Sequence, residues 1–379
     1  MQKKRIVLAT GIFYPDVGGP AIHVRKIAER LTLEGFEVVV VCYGDHDKKN
    51  DFNFNVTRIS RKHSKVIQWA LYLGSILRLS FGSSLIYTFD PSAAGLPAFI
   101  GSFIFRKPLV IRIGGDPIWE RVVEKGKRYV TIEEYYSKKF YLKDNPFLYK
   151  IIKMILKQAK VVVVYNQFFK DFYIDNFGIN RDKILIVKNP VFRRGGTTQP
   201  LSPEPTILFA GRFVAYKNLP MVIKAFARVK VTNPHTKLTL IGKGPDKEEL
   251  LELVRKLSLE NCVSFFESLP QEKLFEEIKK AAFSLGPALN EFNPNFILES
   301  LSFGKPVILS RGHGLSVDLP ENFLFDPLNE NDLVEKMSAL LIPENYAQAL
   351  KQVDEIPMEQ TWEKVADFHS NLVSKFVQK

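Results

Sequence analysis

Two runs of alternating strand and helix signals, separated by one stretch without periodicity, constrain this chain of 379 residues more than any other feature. In the first half the short apolar runs RIVLAT, EVVVVCY, SLIYTF, PLVIRI, KVVVVY and ILIV are rich in β-branched residues. TILFAG, KLTLIG, VSFF, AAFSLG, PVILS and FLF follow the same pattern in the second half. Continuous apolar runs of this length suit strands covered on both faces, as in a parallel sheet. Between them, AIHVRKIAERLTLEG and MVIKAFARVK carry apolar residues at helical spacing. Strand–helix alternation twice over predicts an α/β chain of two doubly wound domains. The segment 188–206, KNPVFRRGGTTQPLSPEPT, is rich in Pro, Gly, Ser and Thr and reads as the linker. Domains are therefore expected at 1–190 and 204–357, with a last helix in 358–379 after the turn at Ile356-Pro357.

Charge is unevenly placed. Residues 1–190 hold 31 Lys and Arg against 17 Asp and Glu, a net +14, whereas 191–379 hold 22 against 24, a net −2. The whole basic excess thus lies in the first half, which suggests that this half meets an anionic surface or substrate. Two basic stretches stand out. Between 138 and 160 there are seven Lys and one acid, Asp144, and Lys150, Lys153 and Lys157 recur at helical spacing beside an apolar face. The stretch 61–78 is basic, lacks acids and contains Trp69. Either could be an ordinary surface helix; together they favour an anionic membrane surface or a lipid-phosphate acceptor. They contain no recognised nucleic-acid-binding module, so nucleic acid is not expected as a partner. Cys42 and Cys262 sit far apart in apolar runs, which argues against a disulfide framework or a metal site and for a reducing cytoplasm. The apolar runs at 66–77 and 93–105 are shorter than the ~20 residues a membrane span requires, and the second reads as a buried helix.

The residues that carry chemistry fall at strand exits. Gly18-Gly19 follows the first strand and opens a helix, an arrangement that lets backbone approach a phosphate and equally suits a simple tight turn. Arg212 comes directly after TILFAG, with Lys217 shortly beyond. A guanidinium grips a diphosphate through paired hydrogen bonds, and an ammonium adds a mobile point charge. Gly242-Lys243-Gly244-Pro245 ends KLTLIG and suits a structural turn beside a nucleotide. His313, between two glycines, reads as a loop histidine. Glu291 lies at the exit of FSLGPAL, and Glu299 lies seven intervening residues later inside the helix FILESLSFG. Both are placed beside the carboxyl edge of a parallel sheet, where open α/β sheets bind ligands.

At this point the chain resembles the retaining GT-B glycosyltransferases of family 4. The resemblance rests on motifs in register: Tyr14-Pro15-Asp16-Val17-Gly18-Gly19-Pro20 with His23, Gly211-Arg212-Phe213 with Lys217-Asn218, Ile241-Gly242-Lys243-Gly244-Pro245, Glu291 and Glu299 before Gly304-Lys305-Pro306-Val307-Ile308, and Trp362-Glu363. It implies two Rossmann-like domains facing across a cleft, with the last helix crossing back onto the first domain. The first domain would bind the acceptor and the second a UDP- or GDP-linked sugar. Transfer would proceed with retention, without cofactor or metal, Arg212 and Lys217 acting where other enzymes use a divalent cation. Glu299 matches the glutamate that hydrogen-bonds the donor ribose, and Glu291 the one beside the donor sugar. Phe292, Asn293 and Asn295 lie where the family usually has glycines, so their backbone amides are assigned to the phosphate or sugar, and Phe296 is placed with Asn293 and Asn295 among the donor-binding residues. Asp116 is assigned to acceptor orientation or proton acceptance, with helix capping as the alternative. The implied setting is cell-envelope polysaccharide or glycolipid synthesis on a glycan or lipid-linked acceptor, in the cytoplasm and peripheral to the inner face of the membrane. Two other readings are an epimerase of the same fold and a non-catalytic binder of nucleotide-sugars or polyanions.

Overall fold

The computed structural model describes residues 4–16, 19–45, 52–195 and 199–377. They form two compact units, one from 1–118, 141–190 and 360–379, the other from 119–140 and 191–359.

The first unit is built on a seven-stranded sheet: β1 (Arg5–Ala9), β2 (Glu37–Tyr43), β3 (Asn55–Ile59), β4 (Ser83–Thr88), β5 (Leu109–Arg112), β6 (Val161–Val164) and β7 (Ile184–Ile186), in the order β3-β2-β1-β4-β5-β6-β7. Every neighbouring pair is parallel. The central strands are fully covered, which is why they read as uninterrupted apolar runs. Strand β3, Asn-Val-Thr-Arg-Ile, gave no such signal because it is a half-exposed edge strand. The helix Trp362–Val377 lays Val365, Leu372 and Val373 against Ile6, Val24 and Val40 in this unit's core.

The second unit contains the short β8 (Val191–Phe192), then β9 (Thr206–Ala210), β10 (Lys237–Ile241), β11 (Val263–Phe266), β12 (Phe283–Gly286), β13 (Val307–Ser310) and β14 (Leu324–Phe325). The last six form a parallel sheet in the order β11-β10-β9-β12-β13-β14. Phe209, Phe226, Phe283 and Ile297 anchor its core. The order in which strands are added reverses between β9 and β12, which creates a switch-point crevice at their carboxyl ends.

The division at 190 expected from the linker needs one correction. Residues 119–140 belong to the second unit although they precede the linker. The reason is local bonding. Trp119 is fully buried beside Tyr216, with ring centroids 5.8 Å apart. The Tyr129 hydroxyl donates to Asn218 Oδ1 at 2.6 Å, and the Ile132 amide donates to Asn290 Oδ1 at 2.6 Å.

Candidate active site

The exits of β9, β12 and β13 are bonded to one another around the switch point of the second sheet. The Leu289 amide donates to the Tyr216 carbonyl at 2.8 Å, and the Glu291 amide to the Gly312 carbonyl at 2.9 Å. Asn290 Nδ2 donates to the same Gly312 carbonyl at 3.2 Å. On the other side, the Phe213 amide donates to the Lys243 carbonyl at 2.8 Å. A Cβ on Gly242 would come within 1.8 Å of the Gly211 carbonyl oxygen, so this glycine is needed for the two loops to cross. Gly242, placed among the donor-binding residues as part of a turn beside the nucleotide, shapes the turn next to Arg212.

Within this framework Lys217 and Glu291 are brought together. Lys217 Nζ lies 2.5 Å from Glu291 Oε1, and their side chains keep only 15% and 10% exposure. Lys217 sits in a 3-10 turn, Ala215–Lys217, ended by Asn218 in the left-handed region at φ 57°. That unusual backbone is held by the Tyr129 hydroxyl and by donation from Asn218 Nδ2 to the Pro327 carbonyl at 3.0 Å. Arg212 differs: its side chain is 68% exposed and lies 3.8 Å from Glu124. Tyr216 lies amid this charge. Burial first, then Glu120 and Glu291, hold its phenol well above the usual range.

Beyond Glu291, Asn293 adopts φ 71°, a conformation that favours glycine. Asparagine tolerates it, and its Oδ1 accepts from the Ser316 amide at 3.2 Å. The helix Asn295–Ser302 follows, with no side-chain cap, so its first amides have no partner within the helix. Such amides suit an anion. Asn295 is exposed at this end. The Phe296 ring packs toward Phe209, centroids 6.4 Å apart. Glu299, one turn on, accepts from Gln271 Nε2 at 3.2 Å. Burial raises its carboxyl above the usual range, while Gln271 and then Arg194 oppose the shift. His313 Nδ1 accepts from the Leu315 amide at 3.0 Å, and burial lowers its pKa to about 4, so the ring is neutral with its proton on Nε2.

The remaining candidates belong to the first unit. Gly19 is the first residue of the helix Gly19–Leu33, and Gly18 lies outside the described residues. Asp116 is buried and its Oδ1 accepts from the Ile118 amide at 2.8 Å, capping the helix Pro117–Glu124. The sequence reading missed a buried cluster nearby in this unit. Arg112 Nη2 donates to Asn189 Oδ1 at 2.6 Å and to His23 Nε2 at 3.2 Å. Burial, then Arg112, keep His23 neutral. Among the described residues no three His, Cys, Asp or Glu group as metal ligands would, and no helix is long and apolar enough to cross a membrane.

Comparison with known proteins adds the family. The family model "Glycosyltransferase Family 4" matches residues 17–192, and "Glycosyl transferases group 1" matches 198–354. The alpha-monoglucosyldiacylglycerol synthase of Streptococcus pneumoniae is 22% identical over 99% of this chain and 88% of its own length. Among solved structures, a sucrose-phosphate synthase from Thermosynechococcus elongatus superposes with a TM-score of 0.77 at 18% identity, covering 99% of this chain and 100% of that one. Anabaena HepE in complex with UDP-glucose superposes at 0.69 with 17% identity, covering 100% of this chain and 98% of its own. At these identities the structural matches speak for the two-domain fold.

Proposed function

The chain belongs to the group 1 glycosyltransferases of GT-B fold, and we propose that it moves a hexosyl group from a UDP- or GDP-linked sugar to a hydroxyl of a lipid-linked or glycan acceptor. The observation that carries this reading is the nearly buried Lys217–Glu291 pair at the switch point of the second sheet. A buried ion pair costs desolvation and adds little net stability, so its placement where ligands bind argues for work on a substrate. Lys217 and Arg212 bind the diphosphate and stabilise the charge that develops as it leaves, without a metal. Glu291 orients sugar hydroxyls and, as an anion, favours positive charge at the anomeric carbon. Glu299 accepts hydrogen bonds from the donor ribose. In a retaining, same-side transfer the bond from the anomeric carbon to the phosphate oxygen breaks and the acceptor oxygen takes its place on that face. The acceptor proton passes to the departing phosphate oxygen.

UDP-glucose is supported by what HepE holds, and a lipid-linked acceptor by the diacylglycerol named in the streptococcal relative. Such an acceptor would place the enzyme on the cytoplasmic face of a membrane. Acceptor recognition is assigned to the first unit, which carries the basic charge. The test is incubation with a panel of labelled nucleotide-sugars, with and without a lipid extract. Label transferred to lipid with release of nucleoside diphosphate supports the reading. Interconversion of the sugar without acceptor points to an epimerase, and binding without turnover to a non-catalytic protein.

A further inference from the structure

The first unit carries an unusual helical layer. Helix Gly95–Ile104 lies against helix Lys65–Phe81 on one side and helix Pro146–Gln158 on the other. The first contact is close: a Cβ on Gly101 would come within 2.7 Å of Ser80 Oγ. Helix Lys65–Phe81 starts at a Ser64 cap and ends at Gly82. Its buried residues are Gln68, Tyr72, Ile76 and Ser80, a narrow stripe that is largely polar. The Tyr72 hydroxyl is used inside, donating to the Val41 carbonyl at 2.9 Å and contacting that of Thr10 at 3.1 Å. The apolar residues face outward instead, opposite to the usual pattern of a helix on a globular core.

These three helices hold nine of the nineteen exposed large hydrophobic residues found among the described residues, on about a tenth of the chain. Val66 is 78% exposed, Phe81 76%, Phe103 71% and Phe147 75%, and Trp69 and Leu71 are also exposed. The Phe81 and Phe105 rings meet edge to face at 5.8 Å, so the ends of two helices share one aromatic patch. Not one Asp or Glu occurs in the three helices. Lys65, Arg78, Arg106, Lys150 and Lys157 are exposed on or beside them. Lys153, assigned from its spacing to the same surface, is half-buried and turned to its own helix, donating to the Tyr149 hydroxyl at 3.1 Å.

We propose that this layer is a membrane-docking face that inserts Val66, Trp69, Phe81 and Phe103 into the interface of an anionic bilayer, with the surrounding Lys and Arg on its headgroups. Exposed apolar residues interspersed with cations and free of acids match that surface in both terms. A second copy fits less well, because a two-fold interface would set the same five cations against themselves. The inference stands apart from the transfer reaction, since binding is read without donor or turnover.

The test is flotation with vesicles of phosphatidylglycerol or phosphatidylcholine. The wild type floats with the first far more than with the second, and less at high salt, because screening shortens the reach of each charge to about 8 Å or below. The variant Val66→Ser/Trp69→Ser/Phe81→Ser/Phe103→Ser removes side chains of the surface layer, so its thermal melting falls only modestly and it stays folded at the assay temperature. Its partition falls about a hundredfold or more, each lost apolar side chain removing a share of the burial. Trp emission shifts to the blue on phosphatidylglycerol, and Trp69→Phe abolishes that shift while the protein still floats. Wild type that stays out of phosphatidylglycerol vesicles at low salt overturns the proposal, as does a quadruple variant that floats equally well. A wild-type dimer that the quadruple variant converts to monomer would assign the face to self-association instead.

Discussion

Replacing Lys217 with Ala separates catalysis from folding in a way the structure makes quantitative. The ammonium is the partner that Glu291 meets at 2.5 Å, and Glu291 is itself 8% exposed. Removing the cation leaves a carboxylate nearly out of water without its counter-charge. Breaking a fully buried pair costs about 3–5 kcal/mol; the exposure that remains here lowers the expectation to ~2–3 kcal/mol. For a unit of this size that corresponds to a drop in Tm of roughly 5–10 °C. Turnover with saturating donor falls about a hundredfold or more, since a charge contact to the departing diphosphate is lost. Lys217→Ala/Glu291→Ala removes both charges, so melting recovers most of the loss while turnover does not. The assays are thermal unfolding and nucleoside diphosphate release. A single variant that melts with the wild type, or a double variant that regains turnover, refutes the assignment of this pair.

Arg212→Ala leaves melting unchanged, because the side chain is mostly solvated, yet lowers kcat about a hundredfold, measured by diphosphate release. Glu124→Gln frees Arg212 from the carboxylate beside it and tightens nucleoside diphosphate binding a few-fold in calorimetry, the scale of an exposed ion pair. In the proposed reading Glu299 accepts from the ribose, most strongly as an anion, and burial raises its carboxyl above the usual range. Donor KM therefore climbs as pH falls through that raised pKa, earlier than an ordinary carboxylate would cause; Glu299→Gln raises KM and flattens this dependence. The same raised pKa means that Glu299 favours folding in its protonated form, a contribution present at low pH and lost as pH rises through the folded value. Gly242→Ala forces a Cβ onto the Gly211 carbonyl, so the variant is recovered poorly folded or melts well below the wild type.

Twelve of the thirteen strands in the two large sheets were legible as apolar runs, the central ones because covered parallel strands must be continuously apolar. β3 was not, since an edge strand mixes Asn, Thr and Arg with Val and Ile. That Arg212, Lys217, Glu291 and Glu299 follow strands of one sheet was legible from the apolar runs before them, whereas their roles rest on the motif register. The allegiance of residues 119–140 was not, because no local period reports which sheet a segment leans on. It follows from single bonds made by Tyr129 and Ile132 to distant side chains. Asn293 was named from the motif register, where glycine is usual, and it takes a glycine-like φ. Lys153 was placed by spacing alone, and its side chain turns to Tyr149 on its own helix.

The most direct test of the account is the anomeric configuration of the product, read by NMR after turnover of the active labelled donor in the presence of a chelator. The account predicts a glycoside with the same configuration as the donor, one nucleoside diphosphate released per linkage formed, and loss of both signals in Lys217→Ala. An inverted product, or turnover that stops with the chelator and returns with a divalent metal, would contradict it.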